Sequence, residues 1–319
     1  MKTIIAYIRD FLHDEWNPQY FLAVAMLLVF LFVANYVFGL ETSTVKHLEF
    51  PTEQTAFYFL LYSVPYFLTH WIYAAIKKDF RVFRTFRFWG LSLFAMIVLA
   101  IYIMLHDGPW YLLKSQPQLF AIISRRYQPI SARCASNILP LTFGGITLIG
   151  YWWRTDRKSM PLYGFSTKTI DLRPYIGILL LLIPIVVAAS FSSDFQHAYP
   201  RYKFGFPDHL PPGKQGFLIA LFEGCYGADF VFIEFLFRGF MILGFARLLG
   251  SRAIIPMVVV YALIHFEKPV LEAISSILGG FALGVISYRT KSIYGGVILH
   301  LGVAMTMELA GSIQLVMTR

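Results

Sequence analysis

Long apolar runs, each about as long as a bilayer-crossing helix, constrain this chain more than any other feature of its sequence. A helix that spans a bilayer needs about 20 mostly apolar residues. Of the 319 residues, 57% are hydrophobic and only 14% are charged, whereas soluble domains carry about 25% charged residues. The sequence therefore predicts an all-α fold, namely a polytopic transmembrane helix bundle.

Nine segments have the length and polarity expected of membrane spans, although two of them are short. The predicted spans are 20–40, 55–76, 89–105, 139–153, 174–191, 215–249, 252–266, 271–288 and 293–316. The sixth is too long for one straight crossing, since about 35 helical residues rise about 52 Å. We predict that Gly224 and Gly227 break it, in a bundle of about eight or nine spans.

Basic residues cluster in the loops that follow every second predicted span. Lys77, Lys78 and Arg81 follow the second span, and Arg289 follows the eighth. The positive-inside rule places such loops in the cytoplasm. We therefore expect an integral multi-pass protein of the bacterial inner (plasma) membrane with a cytoplasmic N-terminus. These loops account for much of the net charge of +9, and no nucleic-acid partner is expected.

A polar loop over residues 154–173 separates an N-terminal group of spans from a C-terminal group. We predict that residues 1–170 form N-terminal transmembrane helices of unknown role and that residues 171–319 form the functional core. The two cysteines, Cys134 and Cys225, are too few for a disulfide framework.

Ionisable side chains interrupt three apolar segments of the C-terminal region. Glu234 and Arg238 share one segment, His265 lies in the next, and His300 lies in the last. A charge at the bilayer centre costs about 2.5 kcal/mol or more, which makes each such residue a functional-site hypothesis. Residues four apart share a helix face, so we predict that Glu234 and Arg238 pair. By helix rise, Glu234 and the two histidines can lie at a common depth.

These residue types suit more than one chemistry. A carboxylate in an apolar pocket can act as a general base toward water, and an imidazole can orient that water or stabilise an oxyanion. Two histidines and a glutamate also suit zinc, although the histidines lie on different predicted helices and no HExxH element occurs. The same residues also fit a proton-coupled transporter, in which they form a proton relay, or an ion pair that only holds the bundle together.

The order and spacing of these residues resemble the CAAX prenyl protease and bacteriocin-processing (CPBP) family of intramembrane endopeptidases. The resemblance covers about residues 174–316. The matching residues are Glu234, Arg238 and Gly239 in the first motif, Tyr261 and His265 in the second, and His300 in the third. Tyr261 stands where the family has phenylalanine.

The resemblance implies an intramembrane endopeptidase that hydrolyses a peptide bond of a membrane-associated or lipidated polypeptide by glutamate-activated water. In that reaction Glu234 would activate the water, Arg238 would fix it and balance its charge, His265 would orient it, and His300 would stabilise the oxyanion. The family has been described as metal-dependent, but a mechanism with Glu and His needs no metal. We expect no metal and no cofactor, and the expected partners are membrane lipids and a polypeptide substrate.

The chain departs from the family pattern at two positions. Ile233 stands where the family has its first glutamate, and Ala304 stands where the last motif has asparagine. These departures support an alternative, a catalytically inactive homologue that acts as a membrane binding, immunity or scaffold protein. Other polar residues near the motifs are candidates for a supporting role. They are Glu223, Glu267, Lys268 and Glu272.

Overall fold

The computed structural model describes residues 2–48, 51–167, 171–205, 213 and 215–317. Over these residues the regular structure is helical. The α-helices are α1 (Lys2–Glu15), α2 (Pro18–Tyr36), α3 (Leu40–His47), α4 (Pro51–Lys77), α5 (Phe86–Ser115), α6 (Gln128–Thr155), α7 (Arg173–Ala189), α8 (Ser193–Ala198), α9 (Gln215–Glu234), α10 (Ala246–Leu249), α11 (Ile254–Leu263), α12 (Val270–Thr290) and α13 (Tyr294–Met317). A π-helix covers Phe235–Gly244, and four 3₁₀ helices cover Arg81–Arg84, Pro117–Phe120, Arg201–Gly205 and Gly250–Ala253.

Seven helical segments of the described chain are long and apolar enough to cross a membrane. They are Pro18–Tyr36, Thr52–Lys77, Phe86–Ser115, Gln128–Thr155, Gln215–Leu263, Val270–Thr290 and Tyr294–Met317. The predicted fifth span corresponds to α7, which is a shorter apolar helix. The predicted sixth span and most of the predicted seventh span lie in the segment Gln215–Leu263. The all-α, polytopic prediction is confirmed, and the structure accounts for each of the nine predicted segments.

The segment Gln215–Leu263 is not one straight rod. Its 49 residues would rise about 73 Å as an α-helix, far more than the bilayer core of about 30 Å. The interruption lies at residues 245–253, where Gly250 has a φ of +60° in the region that favours glycine. This turn separates the π-helix from α11.

The predicted break at Gly224 and Gly227 is wrong, because α9 runs through both residues without interruption. A glycine costs a helix only about 1 kcal/mol, whereas unbonded backbone groups are far more costly in a membrane. Gly227 serves packing instead, since a Cβ on it would lie 3.1 Å from Cδ1 of Leu301 in α13. The departure from α geometry begins at Phe235, where the π-helix starts.

Contacts divide the chain into two compact units, each built from separated stretches of sequence. The first unit comprises Met1–Ala100, Thr155–Ile170 and Phe235–Gly295, and the second comprises Ile101–Arg154, Asp171–Glu234 and Gly296–Arg319. The division of the chain at residue 170 into segments of different role stays a prediction.

In the first unit, the ten residues of α11 are all buried, and α11 packs against α4 and α12. The N-terminal helix α1 also packs on α12, where the rings of Phe11 and Phe281 lie 5.3 Å apart. Asp14 of α1 accepts a 3.2 Å hydrogen bond from Arg289 at the end of α12. The π-helix packs against α12 as well, and all ten of its residues are buried.

In the second unit, close contacts hold α9 against other helices. The hydroxyl of Tyr102 in α5 donates a 2.9 Å hydrogen bond to buried Asp229 of α9. The Phe232 ring packs directly on Gly144 of α6, in the space that a Cβ on residue 144 would occupy. These contacts fix the rotation of α9 and therefore the direction of its last residue, Glu234.

Candidate active site

A buried hydrogen bond joins two of the predicted site residues within the second unit. Glu234 is the last residue of α9, and it is completely buried. Its Oε1 lies 3.0 Å from Nδ1 of His300 in α13. The His300 side chain keeps 17% of its surface exposed. The structure thus places a carboxylate and an imidazole, 66 residues apart in sequence, in direct contact.

The ring of His300 is held on a second side by Phe230. The two ring centroids lie 4.6 Å apart at an interplanar angle of 68°, which is an edge-to-face arrangement. Phe230 and Glu234 are four residues apart on α9, so one helix face supplies both contacts. When Nδ1–H donates to the Glu234 carboxylate, Nε2 of the neutral imidazole is the acceptor. The pair can therefore take up a proton at Nε2 and stabilise the resulting imidazolium.

A glycine makes room for this carboxylate. A Cβ on Gly296 would overlap Oε2 of Glu234, so α13 can approach the end of α9 only because residue 296 has no side chain. Gly296 lies four residues before His300, on the same face of α13. Gly296 is not among the residues predicted from the sequence motifs. The sequence feature that could have indicated it is the pair of glycines, Gly295 and Gly296, which lies about one helical turn before His300.

A second group of predicted site residues lies in the first unit. Arg238 belongs to the π-helix and is completely buried. Its guanidinium carbon lies 4.1 Å from the centroid of the Tyr261 ring, within the reach of a cation–π interaction. The His265 ring lies 4.8 Å from the same tyrosine ring. Tyr261 therefore contacts both ionisable side chains.

The hydrogen bond of His265 fixes its neutral tautomer. Nδ1 lies 2.8 Å from the backbone carbonyl of Tyr261. A carbonyl oxygen only accepts, so Nδ1 carries the hydrogen and Nε2 is the acceptor when the ring is neutral. An imidazole in this form can accept a hydrogen bond from water, which suits the orienting role that the family resemblance implies.

Tyr261 is itself held in place by two neighbours. Its ring packs edge-to-face on Phe237, with centroids 5.2 Å apart. On the other side, a Cβ on Gly280 of α12 would lie only 2.8 Å from Cδ1 of Tyr261. The sequence marked Tyr261 only as a variant of the motif phenylalanine. Its contacts show that an aromatic ring at this position supports both Arg238 and His265.

Side chains of α2 anchor the loop that follows His265. Asn35 donates a 3.2 Å hydrogen bond to the carbonyl of Phe266, and the Tyr36 hydroxyl donates one of 2.9 Å to the carbonyl of Lys268. An open groove of about 480 Å³ lies between this loop and the end of α2. No pattern in the sequence indicates these anchors, because they join residues more than 200 positions apart.

The supporting residues predicted from sequence lie in two different places. Glu267 is exposed, and Lys268 forms a 3.9 Å ion pair with Glu272, so these three lie on the loop and the first turn of α12. Glu223 lies 11 residues before Glu234 on α9, a rise of about 16 Å. Its carboxyl group lies close to that of Glu308 in α13.

The two residues that depart from the family pattern are both buried. Ile233 is 5% exposed. Ala304 is buried in a cluster with Ile130, Phe222 and Tyr226. At these positions the chain therefore has buried apolar side chains in place of the carboxylate and the amide of the family motif.

Glu234 and His300 supply two donors, but no group of three or more His, Cys, Asp or Glu side chains in the described part of the chain is arranged to hold a metal ion. A zinc site needs at least three protein ligands. The expected absence of a metal stays a prediction.

Comparison with known proteins supports the motif assignment. Residues 216–306 match the family model described as Type II CAAX prenyl endopeptidase Rce1-like. The matched segment contains Glu234, Arg238, Tyr261, His265 and His300. Searches of curated proteins and of solved structures give no significant match. The match over residues 216–306 confirms the predicted resemblance of this segment to the CPBP family of CAAX-protease-like endopeptidases.

Proposed function

We propose that this integral membrane protein hydrolyses a peptide bond in a membrane-associated or lipidated polypeptide and that the Glu234–His300 pair activates the attacking water. The observation that carries this proposal is the 3.0 Å contact between a fully buried carboxylate and an imidazole, inside the segment that matches the endopeptidase family. A buried charge of this kind is rare in membrane spans and is kept chiefly for function.

In the proposed step, water loses a proton to the pair while its oxygen attacks the scissile carbonyl carbon. The proton is held on Nε2 of His300 or on the Glu234 carboxylate, since one hydrogen bond couples the two groups. The tetrahedral intermediate then collapses, the C–N bond breaks, and the same proton passes to the leaving amine. His300 in its protonated form can also stabilise the oxyanion. The family resemblance assigns charge balance to Arg238 and water orientation to His265.

The test uses the full chain in lipid nanodiscs, incubated with membrane-anchored and prenylated peptides, with mass spectrometry to identify new peptide termini. Glu234→Gln keeps the shape of the side chain but removes the charge, and we expect cleavage to fall by about 10²-fold or more. Glu53→Gln, at an exposed position in α4, is the matched control. Cleavage that survives Glu234→Gln unchanged would contradict the proposal. Proton-coupled uptake into proteoliposomes, lost in the same variant, would favour a transporter instead.

A second candidate function is that of a noncatalytic binding protein, immunity factor or scaffold. The buried Ile233 and the apolar packing of Ala304 favour it, because the family places an acid and an amide there. A binding protein would crosslink to lipidated peptides without cleaving them, and Glu234→Gln would leave that crosslinking intact. Cleavage that appears only after Ile233→Glu together with Ala304→Asn would identify the chain as an inactive homologue.

A further inference from the structure

A small cavity lies in the first unit, away from the residues of the family motifs. It is bounded by the start of α2, the end of α4, the 3₁₀ helix Arg81–Arg84 and the turn that precedes α11. Its volume is about 280 Å³, just below the range of about 300–1,000 Å³ that holds drug-sized ligands. The cavity therefore suits a small polar group or a single lipid headgroup.

A buried histidine lines this cavity. His70 of α4 is 5% exposed, and its Nε2 has no hydrogen-bond partner among the residues that the structure describes. The ring is fixed by edge-to-face contacts with Tyr66 and Phe88, at centroid distances of 4.8 and 5.1 Å. A buried polar atom without a partner is costly, so a ligand that bonds Nε2 would gain from this site.

The charges that line the cavity favour an anion. Arg81 and Asp79 form a forked pair, with N···O distances of 2.8 and 2.7 Å, and they neutralise each other. Arg252 is exposed, and its guanidinium lies 5.7 Å from the ring centroid of Tyr73. Its Nε donates to the carbonyl of Leu249. Arg252 thus adds one positive charge, with the planar donor geometry that suits phosphate oxygens.

The position of the cavity in the chain suits a lipid headgroup. It lies where the span of α4 ends and the span of α2 begins, next to loops that are rich in lysine and arginine. Basic pockets at the ends of transmembrane helices bind anionic lipid headgroups. Tyr20 and Tyr73 line the same cavity, and tyrosine is enriched at this depth.

We propose that this cavity binds a phosphate group, which accepts hydrogen bonds from the Arg252 guanidinium and from Nε2–H of His70. The phosphate belongs either to an anionic phospholipid or to a small soluble phosphate. The site does not depend on the proposed peptidase activity, because neither residue belongs to the family motifs.

The test measures binding to the purified full chain by native mass spectrometry. The probes are dioctanoyl phosphatidylglycerol, dioctanoylglycerol (the same acyl chains without phosphate) and inorganic phosphate as a competitor. We expect the phospholipid to bind and dioctanoylglycerol not to bind. Arg252→Gln should weaken phospholipid binding about tenfold, because a charge-assisted contact is lost. His70→Phe keeps the ring contacts, removes Nε2, and should also weaken binding.

The control variant is Arg247→Gln, since Arg247 lies near the same turn but donates to the carbonyl of Ser159. Its phospholipid affinity should match that of the unmodified chain. Displacement of the lipid by inorganic phosphate would identify a soluble phosphate as a ligand, and failure to displace it would identify the lipid. Equal binding of dioctanoylglycerol and phosphatidylglycerol would overturn the proposal. Unchanged phospholipid binding by the exposed-site variant Arg252→Gln would also overturn it, even if His70→Phe does not fold.

Discussion

The carboxylate of Glu234 occupies the space that a side chain on residue 296 would fill. A Cβ built on Gly296 overlaps Oε2 of Glu234, while Oε1 of the same carboxylate lies 3.0 Å from His300. One face of α13 therefore supplies both the space for the carboxylate and its hydrogen-bonding imidazole. This relationship makes the glycine as necessary to the geometry of the pair as the histidine.

Gly296→Ala should displace Glu234 and weaken its contact with His300. Overpacking of a close-packed site costs about 1–3 kcal/mol, so we expect a lower unfolding midpoint in nanodiscs together with a loss of cleavage. The control is Gly224→Ala in α9, where an added Cβ meets nothing within 4 Å. Equal stability and activity in the two variants would contradict the packing that we describe.

His300→Phe should keep the edge-to-face contact with Phe230 and remove the hydrogen bond to Glu234. The lost bond to a buried charged group should cost about 1.5–3 kcal/mol of stability, and cleavage should fall by about 10²-fold or more. Thermal unfolding and peptide cleavage measure the two effects. Phe230→Leu is the comparison, because it removes the aromatic contact and leaves the hydrogen-bonding pair. Full cleavage by His300→Phe would exclude the imidazole from the reaction.

Tyr261→Leu should destabilise the chain more than Tyr261→Phe. A phenylalanine keeps an aromatic face under the Arg238 guanidinium, whereas leucine removes a cation–π interaction worth about 0.5–2 kcal/mol. Unfolding midpoints of the two variants measure the difference. If both variants unfold at the same temperature, the ring face does not stabilise Arg238.

Gly280→Ala should destabilise α12 against α11, because a Cβ there would lie 2.8 Å from the Tyr261 ring. We expect a loss of about 1–3 kcal/mol, as for other overpacked positions. Its neighbour provides a matched control, since a Cβ on Gly279 meets nothing within 4 Å. Gly279→Ala should be neutral or slightly stabilising because alanine favours helix. The reverse order of stability would contradict the packing.

The turn after α4 should lose stability in acid. Hydrogen bonds from Arg81 hold the pKa of Asp79 below its usual range. A carboxyl whose pKa is lower in the folded state contributes stability above its unfolded pKa of about 3.9, and that contribution is lost as the pH falls further. The unfolding midpoint should therefore fall less between pH 5 and pH 3 in Asp79→Asn than in the unmodified chain. An equal fall in both proteins would exclude this contribution.

The sequence predicted the helical class and the approximate spans because both depend on local composition. Apolar runs of bilayer length form helices wherever they occur, since unbonded backbone is too costly in lipid. The break expected at Gly224 and Gly227 was wrong for a related reason. A glycine in a helix marks either a break or a close approach, and only the presence of Leu301 opposite Gly227 distinguishes the two.

The family motifs gave Glu234, Arg238, His265 and His300 as candidates without showing how they are held. The contact of His265 with the Tyr261 carbonyl is local, four residues back along the chain, and helical spacing makes it foreseeable. The contacts of the following loop with Asn35 and Tyr36 of α2 are not, because nothing in the spacing of either segment specifies the other.

The sequence by itself determined that this chain is a membrane-spanning helical protein with a CPBP-like motif set in its C-terminal part. Only the tertiary structure decided that Glu234 bonds His300, that Gly296 leaves room for the carboxylate, and that Tyr261 lies beneath Arg238. The physical reason is that apolar periodicity fixes which residues form a helix and which face they share. Which faces meet depends on the fit of side chains that are distant in sequence, and a single missing Cβ can decide it.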